Sequence, residues 1–205
     1  IVIIDPPWDM PELFAVGCRS PNRLVFCDGG RAFDAIAANG PPTWVFTWDC
    51  VTSWYVQNRP LRRQKLALWY GDISQYHQDG ARHGDPCGRP RMVKNSRSEY
   101  LYVPNPDGKM LSDVYSYPIT QLRKTQQFNH AKPMDWCRML VANCRGECTT
   151  ITDLFAGSGV FMGVAAQLGM DYVGVELDSD RFKNLESMRH NPAKPTIKPE
   201  QSSWL

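Results

Sequence analysis

The chain has 205 residues, a formal net charge of +2 and an apolar fraction of 42%, which is enough for one ordinary hydrophobic core. No apolar run approaches the roughly 18 residues that a membrane span needs and no secretory signal is visible, so we expect a cytoplasmic protein without a membrane partner. The seven cysteines are irregularly spaced and include no Cys-x-x-Cys pair, which argues against a zinc site, and no metal is expected.

The first seventy residues alternate short apolar runs with helical segments. β-branched and aromatic composition predicts strands at residues 1–4, 24–27, 43–48 and 66–70, with helices at 11–16 and 31–38. The first strand must end at Asp5, because Pro6 and Pro7 cannot continue a central strand.

Residues 71–97 have a different composition, rich in Gly, Pro, Arg and His and without a sustained period. We predict a loop or a small inserted module there, within a single domain that covers residues 1–205. Basic residues clearly outnumber acidic ones between Arg59 and Arg97. On charge alone, a solvated surface explains this segment better than a nucleic-acid contact does.

The remaining chain returns to alternating elements. Composition predicts a strand at 99–103, irregular chain over most of 104–127, a helix at 133–142, a strand at 150–155, a glycine loop and helix at 157–168, a strand at 172–175, and a last helix to about 190, capped by Asp178. This alternation indicates an α/β fold with an open, mostly parallel sheet, in which ligands bind beyond the carboxyl ends of the strands.

The segment Asp153-Leu154-Phe155-Ala156-Gly157-Ser158-Gly159 occupies a predicted strand-to-helix turn. Glycines there let the backbone approach a ligand closely, and the helix start offers N–H groups to an anion. Glu176 follows at the end of the next strand, where a carboxylate can accept both hydroxyls of a ribose. The third glycine of a nicotinamide-binding loop is absent, because Met162 stands in its place, so hydride transfer is disfavoured.

The Asp5-Pro6-Pro7-Trp8 turn can hold an amino group. The prolines fix the backbone, so the Asp5 carboxylate and the Pro6 carbonyl form two rigid acceptors for the two hydrogens of an exocyclic amine. Trp8 offers a flat face on which an extruded base could stack. The competing interpretation is a stiff turn with Trp8 in the core.

Taken together, these two motifs resemble those of the amino-methyltransferases that act on nucleic acids. The order resembles the permuted class, in which the catalytic motif precedes the cofactor motif. The resemblance implies a Rossmann-like sheet, mostly parallel with one antiparallel strand, and S-adenosylmethionine as cofactor. It implies catalytic roles for Asp5, Pro6, Pro7 and Trp8, and cofactor binding by Asp153, Phe155, Ala156, Gly157, Ser158, Gly159, Glu176 and Leu177.

Two further segments are similar to elements of that family. His130-Ala131-Lys132-Pro133 resembles the element before the cofactor loop, which implies that His130, Lys132 and Pro133 wall the methionine end of the cofactor. The spacing from His130 to Lys132 is shorter than in the DNA enzymes. Asp113-Val114-Tyr115 resembles another recurrent piece.

The resemblance implies DNA as the partner and direct methyl transfer to N6 of adenine in a flipped base. Residues 71–97 then become a short candidate target-recognition region, with Arg82, Arg89, Arg91, Lys94 and Arg97 as nucleic-acid contacts. Such a short region leaves relaxed specificity, a homodimer or a separate specificity subunit open. The plain Phe-x-Gly-x-Gly loop favours a bacterial or phage enzyme.

Alternatives remain at this point. Cytosine N4 is the rival base within the family, although Ser is more usual there at the position of Asp5. RNA adenine methylation, a non-catalytic methyltransferase-like subunit that binds nucleic acid, and a small-molecule or protein methyltransferase are also open. Methylation at carbon 5 of cytosine needs a nucleophilic cysteine, for which Cys87 is a poor candidate because it lies in the irregular basic segment.

Overall fold

The computed structural model describes residues 1–7, 9–16, 19–54, 62–78, 80, 82–83, 90–94, 98–103, 109–118 and 132–190. The strands are β1 Val2–Ile4, β2 Arg23–Asp28, β3 Trp44–Trp54, β4 Arg62–Tyr70, β5 Arg82–His83, β6 Arg91–Lys94, β7 Glu99–Tyr102, β8 Lys109–Met110, β9 Val114–Ser116, β10 Thr150–Asp153 and β11 Asp171–Gly174. The α-helices are α1 Ala32–Asn39, α2 Met134–Cys144, α3 Val160–Leu168 and α4 Ser179–His190, and short 3-10 helices cover Pro11–Ala15, Gly29–Arg31 and Ile73–Gln75.

The main sheet of the described chain has seven strands in the order β11-β10-β1-β2-β4-β3-β9. The β11/β10, β10/β1, β1/β2 and β3/β9 pairs are parallel, whereas β4 is antiparallel to both β2 and β3. The prediction of a mostly parallel sheet with one antiparallel strand is therefore confirmed.

The central strands are apolar on both faces because helices cover both. In β1, Ile3 packs in the core cluster that contains α2 and α3, and the adjacent Ile4 packs in the cluster beside α1. Phe26 of β2 contacts Trp136 of α2, with ring centroids 5.7 Å apart. Continuous apolar runs are typical of strands buried in this way, since successive side chains point to opposite faces.

The helix boundaries follow from local chemistry. Gly159, with φ +74°, begins α3, and Gly169, with φ +64°, ends it. Asp178 caps α4 as predicted, because its carboxylate accepts the backbone N–H groups of Asp180 and Arg181 at 3.0 Å. None of the helices within the described ranges is long and apolar enough to cross a bilayer.

Three segments differ in detail from the sequence predictions. The segment 104–127, predicted to be mostly irregular, contains the short strands β8 and β9 among its described residues. Within residues 71–97, β5 pairs with β8 and β6 with β7, both beyond residue 97, and an inserted module there stays a prediction. The strands predicted at 43–48 and 66–70 are longer in the structure, where they are β3 Trp44–Trp54 and β4 Arg62–Tyr70. The added residues of β3 and β4 pair with each other beyond the ends of β2 and β9. Such short or polar strand segments are stabilised by their partners, a contribution that composition does not reveal.

Candidate active site

The two predicted motifs meet at the carboxyl edge of the sheet. Strands β1 and β10 are parallel neighbours with Ile3 opposite Asp153, and Leu154 N–H donates to the Ile3 carbonyl at 3.1 Å. Asp5 follows β1 and the glycine loop follows β10. Adjacent strands lie about 4.8 Å apart, so the rigid turn and the loop lie side by side.

Asp5 forms an ion pair with Lys132. The Lys132 ammonium donates to Asp5 Oδ2, and its nitrogen lies 4.9 Å from the centroid of the Phe26 ring. Lys132 is only 6% exposed, whereas a third (33%) of the Asp5 side chain is accessible. A buried cation therefore lies beneath a partly exposed carboxylate.

The structure adds a contact to the element around Lys132. The resemblance implied that this element walls the methionine end of the cofactor, which stays a prediction, and the structure places the Lys132 ammonium on Asp5. Pro133 is buried at the start of α2, and His130 lies outside the described residues. The pairing joins residues 127 positions apart, so no local pattern in the sequence could have revealed it.

Two residues with positive φ shape the glycine loop. Gly157 has φ +51° and Gly159 has φ +74°. Ala156 N–H donates to the Val175 carbonyl at 2.8 Å, which fixes the loop against the end of β11. A Cβ added at Gly159 would lie 2.6 Å from Leu185 Cδ2, whereas one added at Gly157 would meet only the Phe155 carbonyl oxygen at 3.6 Å. Gly159 is thus packed closely against Leu185, and the space beside Gly157 is open.

Glu176 lies next to this open space. Its Oε2 accepts Gly157 N–H at 2.7 Å and its Oε1 accepts Asp178 N–H at 2.9 Å. The carboxylate is half-buried, and the neighbouring Leu177 is 99% exposed. Each carboxylate oxygen has a second lone pair, so Glu176 can still accept ligand hydroxyls while it holds the loop.

Asp153 lies beneath the loop. It is fully buried, and its carboxylate accepts Phe155 N–H at 3.2 Å and the Tyr172 hydroxyl at 3.2 Å. Burial raises the pKa of Asp153 to about 7, partly offset by the hydrogen bond from Phe155 N–H. Asp153 was predicted to bind the cofactor; with no exposed surface, it supports the loop from below. Tyr172, which sequence reasoning missed, completes that support.

The other predicted residues divide by whether the structure describes them. Ala156 is buried, Phe155 and Ser158 are half-buried, Pro6 is buried and Pro7 is exposed. Trp8 lies outside the described residues, as does Cys87, so their roles stay predictions. Among the described cysteines, burial and the charges of Asp28 and Asp5 raise the pKa of Cys27 to about 12. That thiol stays protonated and unreactive at neutral pH.

The expected nucleic-acid contacts are only partly described. Arg89 and Arg97 lie outside the described residues, and Arg82 and Arg91 are placed as backbone positions in β5 and β6. Lys94 is exposed, 3.9 Å from Glu99. The contact of these residues with nucleic acid stays a prediction.

Comparison with known proteins agrees with the motifs. A family model described as DNA methylase, of the N6/N4 type, matches residues 42–187. The fold is similar to that of M1.HpyAVI in complex with S-adenosylmethionine, at 16% identity and a TM-score of 0.53, covering 91% of this chain and 86% of that one. It is also similar to the PvuII cytosine-N4-specific DNA methyltransferase, at 11% identity and a TM-score of 0.54, covering 86% and 74%. No curated protein matches the sequence. Because the family model spans most of the chain, this protein belongs to the DNA methylase family of S-adenosylmethionine-dependent amino-methyltransferases.

Proposed function

We propose that this protein methylates N6 of adenine in DNA, by direct transfer to the amino group of a flipped base. The observation that supports this most is the Asp5 carboxylate, which lies beside the glycine loop and is paired with the buried Lys132. The same residues make up the site in a single domain, and the plain glycine loop favours a bacterial or phage enzyme.

In this proposal Asp5 aims the amino group. Lys132 occupies Oδ2, which leaves Oδ1 to accept one amino hydrogen while the Pro6 carbonyl accepts the other. With both hydrogens held, the nitrogen lone pair points to the glycine loop. S-adenosylmethionine would supply the methyl group to this lone pair, and the proton that the nitrogen then gives up would pass to Asp5 Oδ1 or to water. Proximity and orientation can supply about 7–11 kcal/mol of such a barrier.

The residues of the loop fit S-adenosylmethionine. Gly157 borders open space that a side chain would fill, and the half-buried Glu176 carboxylate lies at the same place as an acceptor for ribose hydroxyls. Leu177, exposed beside Glu176, offers an apolar surface to an adenine ring. The cofactor supplies an electrophilic methyl group on a sulfonium. The chain itself holds it and positions the acceptor.

Asp at position 5 favours adenine over cytosine N4, because the cytosine enzymes more often carry Ser there. We expect tritiated methyl transfer to DNA, followed by nucleoside mass spectrometry, to give N6-methyladenine as the product. N4-methylcytosine would assign the enzyme to the rival base. Methylation of RNA but not DNA would assign it to the RNA enzymes, and cofactor binding without any transfer would indicate a non-catalytic subunit.

Cofactor affinity is expected to depend on Gly157 and Glu176. Gly157→Val should abolish binding of S-adenosylhomocysteine in calorimetry, because a branched side chain enters the open space and the positive φ disfavours it. Glu176→Ala should weaken binding by about 1–3 kcal/mol, since the ribose loses a partly buried acceptor.

A control must separate ligand contact from loop distortion. Glu176→Gln keeps an acceptor for Gly157 N–H but loses the charge and the acceptor for Asp178 N–H, so affinity should fall while the contact that holds the loop at Gly157 is kept. Unchanged affinity in both Gly157→Val and Glu176→Ala would show that the cofactor binds elsewhere.

A further inference from the structure

The antiparallel strands β3 and β4 extend past the edge of the sheet where Asp5 lies. The last paired residue of β2, Asp28, is opposite Lys65, so Arg62, Arg63 and Gln64 lie beyond it. On the other side, the last paired residue of β9 is opposite Asp49, so residues 50–54 also lie beyond their neighbour. We call residues 50–54 and 62–64 the β3–β4 arm.

The arm projects on the side of the candidate active site. Strand β3 runs parallel to β1 and β2, so its final residues lie beyond the same carboxyl edge as Asp5. The three residues 62–64 of β4, at about 3.3 Å each, extend the arm by roughly 10 Å. Strand β4 is two strands from β1, or about 10 Å, which is within one DNA groove width of Asp5.

A change of register makes this arm distinct from a plain strand extension. Asp49 pairs with Gln64 and Trp54 with Arg62, so five steps along β3 match two along β4. Extra residues on one strand bend and twist it. An arm of this shape can bend relative to the plane of the sheet at its carboxyl edge.

The charge of the segment is one-sided. Residues 49–65 contain Arg59, Arg62, Arg63 and Lys65 and a single acid, Asp49. Lys65 is held by Asp28 at 3.2 Å within the sheet. Arg62 and Arg63 lie in the arm itself, where two adjacent arginines are suited to phosphate oxygens.

The inserted module, by contrast, starts at the opposite edge. Tyr70 ends β4 opposite Arg23, the first residue of β2. A Cβ added at Gly80 would lie 2.4 Å from the carbonyl oxygen of Ala142, near the C-terminal end of α2. Lys132 precedes the other end of this 11-residue helix, which is about 16 Å long.

From this placement we propose that the β3–β4 arm, through Arg62 and Arg63, binds the phosphates of the target strand next to the flipped base. The inference rests on the proposed function, and it identifies the surface that the nucleic acid contacts. The partner is recognised by its backbone charge, so the arm contributes affinity and positioning but no base specificity.

The test compares Arg62→Gln/Arg63→Gln with a charge-matched control, Arg19→Gln/Arg145→Gln. Both control residues belong to the opposite edge, where the Asn22 amide donates to the Arg145 carbonyl. Binding of the full chain to a fluorescent DNA duplex is measured by anisotropy over a range of salt concentrations. The plot of log K against log salt has a negative slope. In the arm variant this slope should become less steep by about 0.9 for each phosphate that is no longer neutralised, and the control variant should keep the parent slope.

Three readouts decide the outcome. Calorimetry with S-adenosylhomocysteine should give the same affinity for the arm variant as for the parent chain, which shows that it folds. If the parent methylates DNA but the arm variant has the same salt slope as the parent, the arm does not bind phosphates, and the proposed function is unaffected. A parent chain that neither binds nor methylates DNA would overturn both.

A third variant, Arg82→Gln/Arg91→Gln, tests the inserted module by the same measurement. If the salt slope becomes less steep in both this variant and the arm variant, the arm is one of two surfaces that contact DNA. If the slope becomes less steep only in Arg82→Gln/Arg91→Gln, the phosphate contacts belong to the inserted module and the proposal for the arm is wrong.

Discussion

Asp5→Ala is expected to lower methyl transfer to DNA by at least about 100-fold, because removing one preorganised charged group from an active site costs about 10²–10³ in rate. The amino group would lose its charged acceptor, and its lone pair would no longer be aimed. Asp5→Asn should keep a trace of activity, since the amide oxygen still accepts one hydrogen bond but without charge. Tritiated methyl transfer measures both.

The ion pair adds an effect on stability. Asp5→Ala leaves Lys132, only 6% exposed, without its carboxylate. Removing one partner of a fully buried pair costs about 3–5 kcal/mol, and we expect less here because a third (33%) of the Asp5 side chain is accessible.

A double variant separates the two effects. Asp5→Ala/Lys132→Met removes both charges, so it should recover much of the free energy of unfolding in urea while methyl transfer stays as low as in Asp5→Ala. Full activity in Asp5→Ala would overturn the mechanism. Equal stability of the single and double variants would show that the ion pair does not matter to folding.

Strand β1, which leads to Asp5, could be predicted from sequence because it is apolar on both faces. Runs such as Ile1–Ile4 need no tertiary partner to be identified, and the residues after them then fall at one edge of the sheet. The glycine loop and Glu176 could be placed from their spacing, which is that of a strand, a helix and the next strand.

The features that the sequence did not reveal depend on contacts distant in sequence. Strand β9 has only three residues, none of them fully buried, and forms because Thr47 N–H donates to the Asp113 carbonyl at 2.6 Å and the strands then pair. The ion pair between Lys132 and Asp5 is another such contact, and the role of Lys132 in walling the cofactor stays a prediction. Only the packing of α2 on the sheet shows that its ammonium reaches Asp5.

Burial changes the pKa of Asp153, which supports the glycine loop. Its carboxylate, 0% exposed, has its pKa raised by burial from 3.8 to about 7, while the hydrogen bonds from Phe155 N–H and the Tyr172 hydroxyl lower it. The folded state therefore binds a proton that the unfolded state releases near pH 4. Stability from this group is complete below about pH 4 and is lost as the pH rises to about 7.

We accordingly expect the free energy of unfolding to fall between pH 4 and pH 7 by about 1.4 kcal/mol per unit from Asp153 alone. Asp153→Asn stays neutral and can still accept Phe155 N–H, so its stability relative to the parent should rise with pH over that range by up to about 4 kcal/mol. Urea unfolding at pH 4, 5, 6, 7 and 8 measures the difference, in which other titrating groups cancel. Tyr172→Phe removes a hydrogen bond that favours the charged form, so it should extend the loss of stability to higher pH. Parallel pH curves for the parent and Asp153→Asn would mean that the buried carboxylate is already charged at pH 5, held in place by Tyr172 and the Phe155 N–H group.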